Sequence, residues 1–197
     1  MFLEDDLTYL ADDGVCPLAL EEDKDDKHPS FFRDQNEEFK YTKVAGISDY
    51  VILPTSDYKA VMNSVAKMGP VAVAVDAPPW FVYESGVFEG IEASGTTDID
   101  RGVVIVGYGT DNKTGLDYWI IRNSWGPKWG EKGYIRLRRH SNTEADRVCA
   151  MDTTPMDGLA CEFDKDGVKI IPEPVEVCGT DGIVFDPVVP MGGFLID

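Results

Sequence analysis

The sequence is poor in positive charge and in histidine, and it contains no long apolar run. Lys and Arg number 18 against 36 Asp and Glu, a formal net charge of −18 over 197 residues. A surface so charged repels phosphate backbones and anionic lipid, which argues against nucleic acid and membrane surfaces as partners. The longest apolar runs, such as Val71 to Val75 and Val103 to Val106, are strand-sized, far short of the about 20 residues that a bilayer-spanning helix requires. The opening MFLEDDLTYLADDG has neither the basic segment nor the apolar core of a secretory signal, and it reads like the middle of a domain. Only His28 and His140 carry imidazole, each in a polar, charged stretch with no partner converging on it. No Cys or His pair has the spacing of zinc ligands, so neither metal nor any other cofactor is expected.

Cysteine is scarce as well, present only as Cys16, Cys149, Cys161 and Cys178. An even count allows disulfides without choosing among them. Cys161 with Cys178 is the expected pair, because the loop they close, EFDKDGVKIIPEPVEV, has little core of its own and would gain from a staple. That loop also sets Glu162, Asp164, Asp166, Gly167 and Glu173 in the spacing of an EF-hand calcium loop. Pro172 and Pro174 stand where the second helix of an EF-hand would start, so no calcium site is expected there.

Along the chain, Phe2, Leu3, Leu7 and Leu10 fall near helical spacing with Gly14 as a stop, which predicts a short helix. LEEDKDDKHPSFFRDQNEE then reads as an exposed loop. TSDYKAVMNSVAKMGP places Tyr58, Val61, Met62, Val65 and Met68 on one face, with Thr55 or Ser56 as N-cap and Gly69-Pro70 as terminator; it predicts a helix over 56–68. Beyond it the period shortens, and VAVAVDA, GVFEG, VVIVGYG, DYWIIRNSW and GYIRLRR read as strands bounded by turn residues. Successive short strands predict an antiparallel barrel or sandwich. From Ser141 onward regularity fades, and PEPVEVCGTDG and DPVVPMGG read as surface loops.

MGPVAVAVDA, FVYESGVF, VVIVGYG, YWIIRNSWG and WGEKGYIRLRR occur in the order and spacing of the barrel lobe of papain-type cysteine peptidases. The chain therefore resembles the papain family of cysteine peptidases. The upstream LADDGVCPLAL is similar to the end of the helical lobe, so the resemblance runs from about Leu3 to Cys149 and, more loosely, through the tail. It implies an α+β fold with three parts: residues 1–40, a remnant of the helical lobe and an acidic loop; residues 41–150, the β-barrel lobe with its helix; and residues 151–197, an irregular tail, disulfide-stapled on the pairing above.

Family chemistry needs a cysteine thiolate, an imidazole that takes and returns its proton, and a side-chain amide that fixes the imidazole tautomer. The resemblance places Asn123 of NSWG at the amide's position and Trp125 at that of the indole shielding it, although both also make sense as packing residues of a strand end. The base should stand just before VVIVGYG; the sequence there is Asp98-Ile99-Asp100-Arg101-Gly102, so Arg101 takes its place. A guanidinium stays protonated and cannot relay a proton; at most it would lower the pKa of a neighbouring thiol, an effect that Asp100 beside it would offset.

The nucleophile's setting, Gln followed by Cys-Gly-Ser-Cys-Trp, is absent, and the Gln that helps form the oxyanion hole is absent with it. The chain reads as starting after that helix, and Cys16 falls where a structural residue is expected. Cys149 aligns with a family cysteine whose usual partner would lie in EGIEASGTTDID, where there is none; it is expected to be free or to pair outside the family pattern. Ala150 and Asp181 also depart from that pattern, standing where relatives carry Gly and Cys. The expectation is a papain-like homologue that does not cleave peptides. The alternatives are a non-catalytic protein that holds a peptide or protein ligand in the old cleft, with a partner covering the half-cleft, or a truncated gene model of a peptidase. The resemblance implies a lysosomal, vacuolar or secreted location.

Overall fold

The computed structural model describes residues 45–90, 97–141, 143, 146–155 and 173–195. The chain divides into two compact units, Met1–Ser48 with Gly193–Asp197, and Asp49–Gly192. The described part of the first is a two-stranded antiparallel ladder in which β1 (Ala45–Gly46) pairs with β11 (Phe194–Leu195). The expected N-terminal helix, Cys16, His28, Cys161 and the EF-hand-like Glu162 to Gly167 lie outside the described residues.

The second unit holds β2 (Asp49–Ile52), α1 (Tyr58–Lys67), β3 (Val71–Val75), β4 (Val87–Phe88), β5 (Arg101–Thr110), β6 (Asp117–Arg122), β7 (Tyr134–Arg138), β8 (Cys149–Asp152), β9 (Val175–Cys178) and β10 (Val188–Met191). Seven of these strands form one sheet in the order β2-β10-β3-β5-β6-β7-β4, antiparallel except for the parallel pair of β4 with β7. With α1 packed against it, the described part of this unit is mostly β, in keeping with the expected α+β fold. Among the described residues no helix is long and apolar enough to cross a membrane.

Alternation builds the core. Val71, Val73 and Val75 on β3, Val103 and Ile105 on β5, Trp119 and Ile121 on β6, and Ile135 and Leu137 on β7 are all buried. Each such aliphatic side chain contributes roughly 1.5–3 kcal/mol on leaving water. The glycines of VVIVGYG have a packing reason: a Cβ on Gly109 would come within 2.8 Å of the Tyr118 hydroxyl lying across the strand.

Helix α1 forms where the spacing predicts it, with Val61 buried and Tyr58, Met62 and Val65 packed on the core. Its cap differs. Asp57, rather than Thr55 or Ser56, accepts the N–H groups of Lys59 and Ala60 at 2.9 and 3.1 Å. Ser56 has a left-handed φ of 60°, which no helix continues, so the helix starts one residue later. Met68 is 49% exposed and does not share the packed face.

The larger corrections concern the tail. Residues read as surface loops form β9 and β10, and β10 lies inside the sheet between β2 and β3. Pro190 is tolerated there because it pairs with Tyr50 of β2, beyond Val188, where β10 pairs with β3. The disulfide is also different from the expected one. Cys178 is joined to Cys149, its direct cross-strand partner in the β8–β9 ladder, rather than to Cys161. Cys149 is therefore not free, and its partner lies outside the family pattern. The Cys149, Glu176 and Cys178 cluster carries no free thiolate that could ligate a metal.

Candidate active site

β5 begins at Arg101, whose backbone is set by β3 through the pair Val75↔Arg101. On its other edge, β5 pairs with β6 through Val104↔Arg122 and Ile105↔Ile121. Continued to the strand ends, that register sets Val103 level with Asn123 and Arg101 level with Trp125. Val103 and Ile105, like Trp119 and Ile121, face the core. Arg101 and Asn123 extend those two rows, so they are diagonal neighbours on the inner face at one end of the sheet.

The aromatic side chains there form a continuous stack. The Arg101 guanidinium lies over the Trp125 ring, 5.2 Å from its centroid. Trp125 stacks on Phe81 at 4.9 Å and meets Trp129 edge-on at 4.8 Å. The Trp129 indole N–H in turn donates to the Trp80 carbonyl at 3.2 Å. The loop after Trp125 turns through Gly130, whose φ of 53° suits glycine and where a Cβ would lie 2.7 Å from the Tyr134 carbonyl. Phe81, Trp80 and Trp129 were not singled out from the sequence; the Trp and Phe density of PPWF and WGPKW was the only signal for them.

Asn123 is 7% exposed. Its backbone N–H donates to Gly133 O at 3.0 Å, and its Oδ1 accepts the Ser124 N–H at 2.7 Å. That second bond orients the amide, because only the oxygen can accept it. The other atom, Nδ2, is buried and has no hydrogen-bond partner among the described residues. The Nε of Arg101 is in the same condition. No carboxylate ion-pairs with Arg101 among the described residues, and Asp100 instead accepts the Ala77 N–H at 3.1 Å.

Acids are close by but face elsewhere. Asp76 follows β3 at the Arg101 end, and its N–H donates to the Asp181 carbonyl at 3.0 Å. Burial pushes the Asp181 carboxyl up to about 6; the Trp80 indole, donating at 2.7 Å, opposes the rise and the Asp76 carboxylate adds to it. Burial also raises Asp76, against the Asp98 N–H that donates to it. Asp181 sits at φ 53°, and Asp98, Asp152 and Thr154 are tied by hydrogen bonds into the segment leading to Arg101.

A family model described as papain family cysteine protease matches residues 5–158. The chain belongs to the papain family of cysteine proteases. It is 43% identical over 141 residues to oryzain beta chain of Oryza sativa subsp. japonica, covering 71% of this chain and 25% of that protein. It is 39% identical over 159 residues to germination-specific cysteine protease 1 of Arabidopsis thaliana, covering 80% and 38%. The structure of the bromelain protease from Ananas comosus matches at a TM-score of 0.51 and 31% identity, over 74% of this chain and 51% of that one. This papain-family chain thus spans about a quarter of the length of the first of these relatives and about half of the bromelain chain.

Within this papain-family chain His140 is not isolated, as its sequence surroundings suggested. Its Nδ1 lies 3.0 Å from Asp146 Oδ1. Against the upward push of partial burial, the Ser141 N–H and the His140 ring hold Asp146 at about 2. The pair is remote from Asn123. His140 follows the end of β7 where Arg138 pairs with Tyr118, whereas Asn123 follows the end of β6 where Arg122 pairs with Tyr134. The two ends are separated by several residues of extended strand, roughly 3.3 Å each. Among the described residues the cysteines are Cys149 and Cys178, and both are in the disulfide.

Proposed function

We propose that this papain-family chain does not hydrolyse peptides and that its strand-end site binds a peptide or protein ligand instead. The observation that carries the proposal is the placement of Arg101 over Trp125 and diagonal to Asn123. Amide hydrolysis by a thiol requires a base that accepts the thiol proton and later returns it to the leaving amine. A guanidinium holds its protons throughout and accepts no hydrogen bond. An orienting amide must offer its oxygen to the base; the Asn123 oxygen accepts the Ser124 N–H, and Arg101 gives its second lone pair no imidazole to orient. No Gln and Cys-Gly-Ser-Cys-Trp setting for a nucleophile occurs in the sequence. Trp125 then serves Arg101 as a ring to lie on.

The binding half of the proposal is supported by apolar surface at the same place. Phe81, stacked on Trp125, is 65% exposed, and its neighbour Val82 is 83% exposed. An apolar shelf beside polar donors suits a peptide side chain or a partner's surface.

The purified chain incubated with a fluorogenic dipeptide amide is expected to release no more fluorophore than buffer, before or after treatment with a thiol-alkylating reagent. Turnover that the reagent abolishes would overturn the proposal. Arg101→His is expected to leave the chain equally inert, since it supplies a base without a nucleophile.

A further inference from the structure

We infer that the Arg101 and Asn123 end of the sheet is a carboxylate-binding site for peptides. The inference follows from counting donors and acceptors. Arg101 Nε and Asn123 Nδ2 are both buried donors without a partner among the described residues, on diagonal positions of one face. A buried donor left unmade costs more than a made bond returns, so two such donors on diagonal positions call for an acceptor with more than one oxygen. Neither supplies it for the other: Arg101 has no acceptor atom, and the Asn123 oxygen, which accepts the Ser124 N–H, accepts nothing from the Arg101 Nε.

A carboxylate has the required form: two oxygens, a negative charge for an arginine without an ion pair, and lone pairs for the amide. Of the other arginines among the described residues, three have such acceptors, while Arg122 and Arg138 have no ion pair and the Arg139 Nε is itself buried without a partner. Arg136 has Glu131 and Asp111, Arg139 has Asp117 and Arg147 has Glu176. Among the described residues Arg101 has the Trp125 ring and no acceptor for its buried Nε. Phe81, stacked on that ring and 65% exposed, provides contact for an apolar residue adjoining the carboxylate. The net charge of −18 opposes the approach of any anion, so recognition rests on these short-range bonds and not on steering.

This site rests on the non-catalytic reading above, and the two can fail separately. The test is calorimetric titration of the full chain near neutral pH with N-acetyl-Leu-Ala as free acid, the same dipeptide as its C-terminal amide, and N-acetylglutamic acid α-amide, which bears only a side-chain carboxylate. The free acid is expected to bind about tenfold or more tightly than the amide. Arg101→Gln is expected to erase that difference. The Arg101 Nε–H resonance should move downfield on adding the acid and stay in place on adding the amide. Tighter binding of the free acid than of the glutamic acid α-amide assigns the site to a peptide C-terminus, and the reverse assigns it to an acidic side chain; both support a carboxylate site. If neither the free acid nor the glutamic acid α-amide binds more tightly than the dipeptide amide, the proposal is overturned. The acid–amide contrast is read on the unaltered chain, so it holds even if Arg101→Gln folds poorly. Cleavage of a probe would instead overturn the non-catalytic reading.

Discussion

The β5–β6 pair has an arginine near each end, and the two are treated in opposite ways. At the hairpin end, Arg136 of β7 donates from Nε and NH2 to Glu131 at 2.9 and 2.7 Å and from NH1 to Asp111 at 3.0 Å, with Tyr118 beneath it. Asp111 also accepts the N–H groups of Lys113 and Thr114, which, with Arg136, hold its carboxyl at about 2. At the other end Arg101 has no carboxylate partner among the described residues, while Asp181 and Asp76 are pushed up by burial. The fold can clearly supply acceptors to an arginine. That it supplies none to Arg101 marks this end as a place where packing alone does not explain the residue.

Arg136→Met should have the largest destabilising effect, because it strands Glu131 and Asp111 next to each other and removes three hydrogen bonds to charged groups. A loss of about 1–2 kcal/mol is expected in urea unfolding near neutral pH, the charged hydrogen bonds being partly screened by solvent. A change under about 0.5 kcal/mol would mean that the hairpin network is surface decoration and would dissolve the contrast with Arg101.

The acids predict opposite pH trends for the two ends. Glu131 and Asp111 have depressed pKa values in the folded state, Glu131 chiefly through its Arg136 hydrogen bonds, so their stabilisation is present at neutral pH and is lost on acidification toward about 2. Asp181 is raised from 3.8 to about 6, so the folded state holds that proton more tightly than the unfolded chain does, and stability falls as pH rises through that window. Asp181→Asn keeps an oxygen for the Trp80 indole and suits the left-handed backbone there. It should stabilise the chain by about 2 kcal/mol above that window, allowing for partial exposure, and by almost nothing below it. A constant difference across the pH range would show that the carboxyl is not the group responsible.

The strands flanking this contrast were legible in the sequence, because VAVAV, VVIVGYG, DYWIIR and YIRLR each carry their burial in their own spacing. Helix α1 was legible too, apart from a cap chosen among three adjacent candidates, Thr55, Ser56 and Asp57, by a left-handed φ that side-chain type does not announce. Strands β2, β9 and β10 have four residues each and no distinctive period, and Pro190 argues against a strand locally. Only pairing with distant residues orders them. The Cys149–Cys178 bond was hidden for the same reason: it depends on the β8–β9 register, not on sequence separation. Arg101, Asn123 and Trp125 were recognisable as a group by resemblance. Their unmatched N–H groups were not, since counting donors against acceptors requires knowing what is buried with what.

The smallest expected effect is the one that sharpens the comparison most. Arg101→Met keeps an unbranched stem against Trp125 and removes both the guanidinium charge and the buried, unpartnered Nε. The lost cation–π contact is worth about 0.5–1 kcal/mol at a partly exposed site, and relief of the unmade donor offsets it. Urea unfolding should therefore place the variant within about 0.5 kcal/mol of the parent, against the larger loss for Arg136→Met. A structural arginine would not behave this way, because its removal would leave an acid without its partner. If Arg101→Met proved as damaging as Arg136→Met, Arg101 would have to be stabilising the sheet end through an acceptor, and the site would lose its claim to be open for a ligand.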